Sequence, residues 1–343
     1  MSRFYIIQTT DPSPYETDIV RFWKENLPDT APGRLQWMKE GNPAGPAIWF
    51  LALDESKDEL AGTTSVMPKT LLMNGRRIRS GIMGDLMVDK KHRVFGPAVL
   101  LLKTVVNNLS NHGIEFLYTI PNRASAKVAE RNKFKSMMVY ESFVRPINLV
   151  SYLEKYMNLS LKGAHALAAV EKFIRSYINN LLGEIKGVFK EETNIDDTFD
   201  QLYEAFMKKT PRILLGERGS GYLRWRYLEN LQYDFKVLTY RSSPGNPLSG
   251  YLVYSANGRK IEIFDLISLS DEITGKLIKK IIRIAQAGDF KGIYAAMNPR
   301  MLLAGQFRRH FFINNRDCFD VYCSAGMTVS AGSWYFLAGD RNL

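Results

Sequence analysis

The sequence predicts an α/β (α+β) protein of two tandem units, each a mixed, mostly antiparallel sheet flanked by helices, joined by a helical connector. Three observations carry this. The chain has 343 residues, too long for one ordinary domain. Its 45% hydrophobic and 12% aromatic content is enough for real cores and excludes wholesale disorder. Finally, one order of elements (hairpin, helix, strand, helix, strand) is legible twice, the mark of an internal structural duplication.

The elements follow in chain order. Residues 3–9 read as a strand. Ser13 and Pro14 read as the cap and first position of a helix that buries Ile19, Phe22 and Trp23 at helical spacing. Residues 47–55 form a strand and 59–88 a long hairpin turning at Asn74-Gly75, a pair that tolerates the positive φ of a two-residue turn. A helix runs from Pro97 to about Asn111, then a strand over 114–120, a short helix over 122–132 and a strand over 136–147. Over 149–190 the apolar stripe Val170, Ile174, Ile178, Leu181 and Ile185 predicts a connecting helix. A basic amphipathic helix on a membrane is the weaker reading of that stripe. The second half repeats the order, with a hairpin turning at Asn257-Gly258, a helix capped by Ser270, strands at 291–298 and 317–323, and a helix through Leu302 to Phe307 between them. Consecutive domains over 1–148 and 191–343 are therefore expected.

The net charge of +11 implies an anionic partner somewhere. Nucleic acid, a lipid surface, an acidic carrier protein and a phosphorylated cofactor all qualify. DNA is not expected, because the basic residues are spread out and no nucleic-acid-reading motif occurs; membrane contact is not expected either. No run approaches the roughly 18 apolar residues of a span, and no signal peptide is read at the N-terminus. The two cysteines, Cys318 and Cys323, suit a strand better than a metal knuckle, so no metal is expected. A reducing cytoplasm fits this usage.

The informative stretch is Val88 to Val106, "VDKKHRVFGPAVLLLKTVV". A helix N-terminus offers unpaired N–H groups and the positive end of its dipole. Gly96 lets backbone approach an anion, Pro97 suits the first helical turn, and Lys90, Lys91 and Arg93 add positive charge. This turn is built to hold a pyrophosphate.

"R-V-F-G-P-A", Arg93 to Ala98, resembles the Arg/Gln-x-x-Gly-x-Gly/Ala signature of the GNAT superfamily of acyl-CoA-dependent N-acyltransferases. "PNRASAKVAERNKF" is similar to that family's second CoA-contacting segment, with Asn122 and Phe134 in the matching places. The resemblance covers residues 3–147 in order of elements. It implies acetyl-CoA, or another acyl-CoA, held by Met87, Val88, Arg93, Val94, Phe95, Gly96, Ala98 and Asn122. It also implies a small-molecule amine as acceptor, such as an amino sugar or amino acid. The acid that protonates the leaving thiolate is often a Tyr in the short helix, where this chain has Ala129; Lys133 replaces the usual Gly. Ser125 or Tyr140 is the candidate replacement acid, and Asp85, on the strand before the motif, is the candidate base. His92 is expected to act electrostatically and His112 to end its helix.

The second half resembles the same fold more faintly. Ser270, Asp271 and Glu272 stand where the phosphate turn would be, and an acidic first turn caps a helix and repels phosphate. "YLRWRYLEN" (222–230) and "SWYFLAGD" (333–340) look like a tandem group whose genes often lie among polysaccharide-biosynthesis genes. Arg224, Trp225, Arg226 and Tyr227 read equally as substrate contacts or as packing. Two alternatives stay open: a Fem-like aminoacyl transferase using charged tRNA, and a CoA-binding protein without catalysis.

Overall fold

A computed structural model describes residues 3–93, 96–147, 183–288, 290–324 and 330–342. Most of the expected connector, 149–182, lies outside the described residues, as do Val94 and Phe95 of the predicted cofactor turn. The chain forms two compact units: residues 1–140, 211–233 and 318–343, and residues 141–210 and 234–317.

The first unit opens with β1 (Phe4–Thr9), α1 (Glu16–Asn26), α2 (Arg34–Lys39) and β2 (Ile48–Asp54). The hairpin β3 (Glu59–Met73) and β4 (Arg76–Val88) turns at Asn74-Gly75, both at positive φ, as the pair demands. Then come α3 (Pro97–Asn108), β5 (Phe116–Thr119), α4 (Arg123–Arg131) and β6 (Lys135–Pro146). Ser13 does not cap α1: residues Ser13–Tyr15 form a separate 3-10 turn tied to Asp11, and the α-helix starts at Glu16.

The second unit holds β7 (Val188–Glu192), α5 (Asp197–Lys209), β9 (Phe235–Arg241), the hairpin β10 (Gly250–Asn257) and β11 (Lys260–Ser268), α7 (Asp271–Ala287), β12 (Gly292–Met297) and α8 (Leu302–Arg309). Between α5 and β9 the chain supplies the first unit with β8 (Leu214–Gly216) and the short α6 (Ser220–Leu223), which runs on as one wider π-turn, Arg224–Leu228. Strand β13 (Ile313–Cys323) and the two-residue β14 (Trp334–Tyr335) finish the order.

Boundaries at 148 and 190 do not describe these units. In the first, the strand beside β5 is the end of β13, with Tyr322 opposite Thr119. In the second, residues Glu141 to Pro146 of β6 pair antiparallel with β12. The composition shift near residue 149 marks a change of local pattern, whereas domain membership follows strand pairing between residues far apart in sequence.

In the first unit β4 and β5 are parallel, as are β11 and β12 in the second. The first unit's core lies between the sheet and α3 and α4, where Ile48, Phe50, Val66, Met83 and Leu117 meet Leu101, Leu102, Val105, Ala129 and Phe134. Because side chains alternate along a strand, Ser65, Met67 and Lys69 of β3 share the face away from Val66. The second unit buries Leu277, Ile278, Ile281 and Ile282 of α7. Ser270 accepts from the Ile273 amide there, so the acidic turn is a helix cap. No helix among the described residues is long and apolar enough to cross a membrane.

Candidate functional site

The predicted phosphate turn begins where β4 ends. Asp89 caps a 3-10 turn, Lys90–His92, by accepting from the Lys91 amide at 2.9 Å, and Arg21 holds its other oxygen at 3.1 Å. Gly96 then stands as N-cap of α3 with φ 84°, and Pro97 takes the first helical position. No side chain caps this helix, and a Cβ built on Gly96 would meet nothing within 4 Å. The Cβ direction of Gly96 is therefore open, and Lys90 and Arg93 in the preceding turn are exposed. His92 is buried beneath the turn, edge-on to Phe4 at 5.5 Å, with Nε2 3.9 Å from Asp54. It packs there rather than facing the open space.

Asn122 caps α4, its Oδ1 accepting from the Ala124 and Ser125 amides at 3.0 and 2.9 Å. Ser125 is half-buried in that first turn. Ala129, where the resemblance has a Tyr, is a core residue. Lys133 sits at φ 66°, the left-handed conformation that explains the family's glycine; here a lysine bears it. Tyr140 is buried, its ring 5.6 Å from Phe336 and 6.3 Å from Phe319. It is placed among core aromatics.

Asp85 lies in a bulge. Thr63 pairs with Met87 and Ser65 with Gly84, so two residues of β4 oppose Thr64, and Asp85 takes φ 52°. Past the bulge, Met87 and Val88 rejoin β3 opposite Thr63 and Gly62. Pairing of β4 with β5 ends at Ile82 and Tyr118. Beside the bulge sits Asn342, close enough that a Cβ on Gly84 would collide with its amide. Asp85 Oδ1 accepts from Arg34 Nη1 at 2.7 Å and Trp23 Nε1 at 3.2 Å; Oδ2 accepts from Ser65 at 2.7 Å and Asn342 at 3.4 Å. Burial by itself would raise its pKa, but the Arg34 guanidinium and these hydrogen bonds hold the carboxyl below its usual range. A carboxylate so held stays charged near neutrality and is a poor proton acceptor. Through these bonds Asp85 ties the bulge to α1 and α2.

Sequence reasoning missed a second set of charges on this face. Lys69 Nζ donates to Asp340 Oδ1 at 2.6 Å and Arg218 Nη2 to Oδ2 at 2.7 Å. Tyr118 donates to the Asp340 carbonyl at 2.8 Å. Burial would lower the Lys69 pKa, yet Asp340 keeps it above its ordinary value. Burial would likewise raise Asp340, and Arg218 and Lys69 bring it well below. Arg226 donates to the Gly339 carbonyl through Nε (3.1 Å) and Nη2 (2.9 Å), and also to that of Arg341. Trp225 stacks on Trp37 at 4.6 Å, each indole N–H bonding the other's carbonyl. All of this lies in the first unit, so the 222–230 segment packs within that unit. The available signals were a lysine on the long β3 and the Asp of "SWYFLAGD". Among the described residues no group of three or more His, Cys, Asp or Glu could hold a metal; Cys318 and Cys323 are free thiols on β13.

The bulged β4, the N-terminus of α3 that follows it and the parallel β5 together frame this site. Solved structures with this fold are similar over nearly the whole chain. A GCN5-related N-acetyltransferase from Anabaena variabilis matches with TM-score 0.65 at 11% identity, covering 93% of this chain and 72% of that one. The N-myristoyltransferase of Saccharomyces cerevisiae with bound myristoyl-CoA matches with TM-score 0.62 at 13% identity, covering 96% and 84%. A probable N-acyltransferase from Enterococcus faecalis matches with TM-score 0.60 at 10% identity, covering 93% and 72%. No protein-family profile and no curated protein sequence matches the chain.

Proposed function

We propose that the chain is an acyl-CoA-dependent N-acyltransferase, with acetyl-CoA or another acyl-CoA as donor and a small-molecule amine as acceptor. One observation carries this reading: an uncapped α3 N-terminus behind left-handed Gly96, open where a side chain would be, with Lys90, Lys91 and Arg93 around it. That cradle fits a pyrophosphate. The amides of Gly96 and Ala98 would receive the phosphates, and Met87 and Val88 on β4 and the Asn122-capped α4 would flank the rest of the donor. The solved structures it resembles include N-acetyltransferases and an enzyme with bound myristoyl-CoA, which supports a thioester donor over a range of acyl lengths.

Bound there, an acyl thioester supplies an electrophilic carbonyl. The amine nitrogen forms the C–N bond, the C–S bond breaks, and the proton shed by the ammonium balances the one gained by the thiolate. With Asp85 held charged and Ala129 in the core, Ser125, the one hydroxyl on α4, is the group we assign to the thiolate.

Calorimetric titration with CoA, acetyl-CoA and myristoyl-CoA at two salt concentrations tests the reading. One-to-one binding that weakens with salt is the expected result. Absence of binding overturns it and brings aminoacyl-tRNA forward as donor. Binding without turnover of any amine would leave a CoA-binding protein.

A further inference from the structure

We propose that the turn joining α8 to β13 docks the protein on an anionic lipid bilayer, with Phe311 and Ile313 entering the interface and the neighbouring arginines meeting the headgroups. The proposal stands apart from the acyltransferase reading and rests on residues of the second unit alone. From sequence no membrane contact is expected, because apolar residues in a short helix and strand do not show which way they face. The fold turns three of them to solvent: Leu302 is 92% exposed, Phe311 59% and Ile313 50%.

Phe311 follows α8 at φ 63°, in the left-handed region where a bulky side chain strains the backbone and glycine is the usual residue. The turn closes as the one after α4 does. The Phe312 amide donates to the Phe307 carbonyl at 3.1 Å and the Phe311 amide to that of Arg308 at 3.0 Å; Phe134 and Lys133 repeat the pattern with Ala129 and Glu130 at 3.1 and 3.0 Å. In each turn the second residue enters a core, Phe312 edge-on to Phe307 at 4.8 Å and Phe134 among the first unit's apolar residues, which leaves the first pointing outward. The first unit has a lysine there. The second bears both a strained backbone and an apolar ring in water, a combination that favours the protein only when something apolar covers the ring. Charge decides what that is. Residues 300–317 hold four arginines, Arg300, Arg308, Arg309 and Arg316, against one acid, Asp317. All four are exposed, and no ion pair engages them among the described residues. Arg309 shares the outer stripe of α8 with Leu302 and Gly305, away from buried Leu303, Ala304 and Phe307, and a Cβ on Gly305 would meet nothing within 4 Å. Nucleic acid would satisfy the arginines and leave the apolar side chains wet. A second copy of this face would cover the apolar side chains and set arginine against arginine. A bilayer interface with acidic headgroups takes both.

The test is co-sedimentation of the full chain with vesicles of phosphatidylcholine, alone or equimolar with phosphatidylglycerol, at two salt concentrations. Binding should require phosphatidylglycerol and weaken as salt is added. Phe311→Gly should reduce it about tenfold or more. That variant relieves the left-handed strain and should hold or raise the denaturation midpoint, so its loss of binding is not a loss of fold. Lys133→Gly relieves the same conformation in the first unit and should leave vesicle binding unchanged. Arg308→Gln combined with Arg309→Gln, both at exposed positions, should weaken binding to the acidic vesicles about tenfold or more at low salt. No binding to the acidic vesicles, equal binding to both kinds, or binding unmoved by Phe311→Gly overturns the proposal. So does full binding by the double arginine variant. Self-association that Phe311→Gly abolishes, with no vesicle binding, would assign the face to a second copy of the chain and overturn the proposal as well.

Discussion

Replacing Gly96 with Glu isolates what the α3 N-terminus does. Gly96 has φ 84° and open space at its Cβ, so a side chain there clashes with no protein atom and projects to where the pyrophosphate would lie. Any L-residue pays about 1–2 kcal/mol for the left-handed backbone, a cost to the fold that Ala and Glu share. Glu adds a charge. At roughly 6 Å from a diphosphate of about two charges, with an effective dielectric of about 20–40, the repulsion is about 3–5 kcal/mol. That corresponds to a loss of about 10²–10⁴ in CoA affinity. Gly96→Ala carries the backbone cost alone and should lose less than about tenfold. The assay is calorimetric titration of both variants with CoA and with pantetheine, which lacks the pyrophosphate and should bind Gly96→Glu as it binds the parent. CoA binding to Gly96→Glu at parental affinity would refute the placement. Equal losses in the Ala and Glu variants would assign the effect to backbone strain.

Three further outcomes follow from the buried charges and the backbone. Asp85→Asn removes one partner of a buried ion pair and should cost about 3–5 kcal/mol in denaturant melts. Because the Asp85 pKa is lowered in the folded state, that stability is present above the ordinary carboxylate range and is lost as pH falls through the depressed value. A variant of parental stability that no longer transfers acyl groups would instead restore Asp85 as the base. Lys133→Gly should raise stability by about 0.5–1 kcal/mol, since Lys133 is exposed and carries φ 66°; a loss would show that its side chain is needed. Arg145 is buried against the His310 carbonyl and the Phe311 ring with no carboxylate among the described residues, and burial pushes its pKa down to about 10. Its folded state therefore binds its proton less firmly than the unfolded one. Arg145→Met should be neutral or stabilising by about 1–2 kcal/mol at neutral pH, with clear destabilisation counting against the reading.

Legibility in the sequence tracked the range of the interaction. Asn74-Gly75, Gly96-Pro97, Asn122 and Ser270 act on backbone within a few residues, and each is found at the turn or helix start its chemistry dictates. Ser13 misled because Asp11, two residues upstream, captures it in a tighter turn. Short α2, β8 and β14 carry too few residues for a period to show. The hardest features were the non-local ones. Lys69 and Asp340 are 271 positions apart, Arg218 and Asp340 are 122 apart, and no spacing rule relates them. Asp85 was legible as a candidate, but Arg34 and Asn342, which shape its surroundings, come from elsewhere in the chain. Membership of the two units is non-local in the same way, since β13 completes the sheet beside β5 from the far side of the second unit's sequence.

That last feature governs the order in which the protein can be finished. Residues 318–342 leave the ribosome after every residue of the second unit, yet they contribute the strand beside β5, the Trp334–Tyr335 strand against β8, and Asp340. During synthesis the first unit waits, with Lys69, Arg218 and the Tyr118 hydroxyl facing an empty place, until the second unit has been made. A chain cut before residue 318 would carry the α3 N-terminus and still lack Asp340, the partner of Lys69 and Arg218.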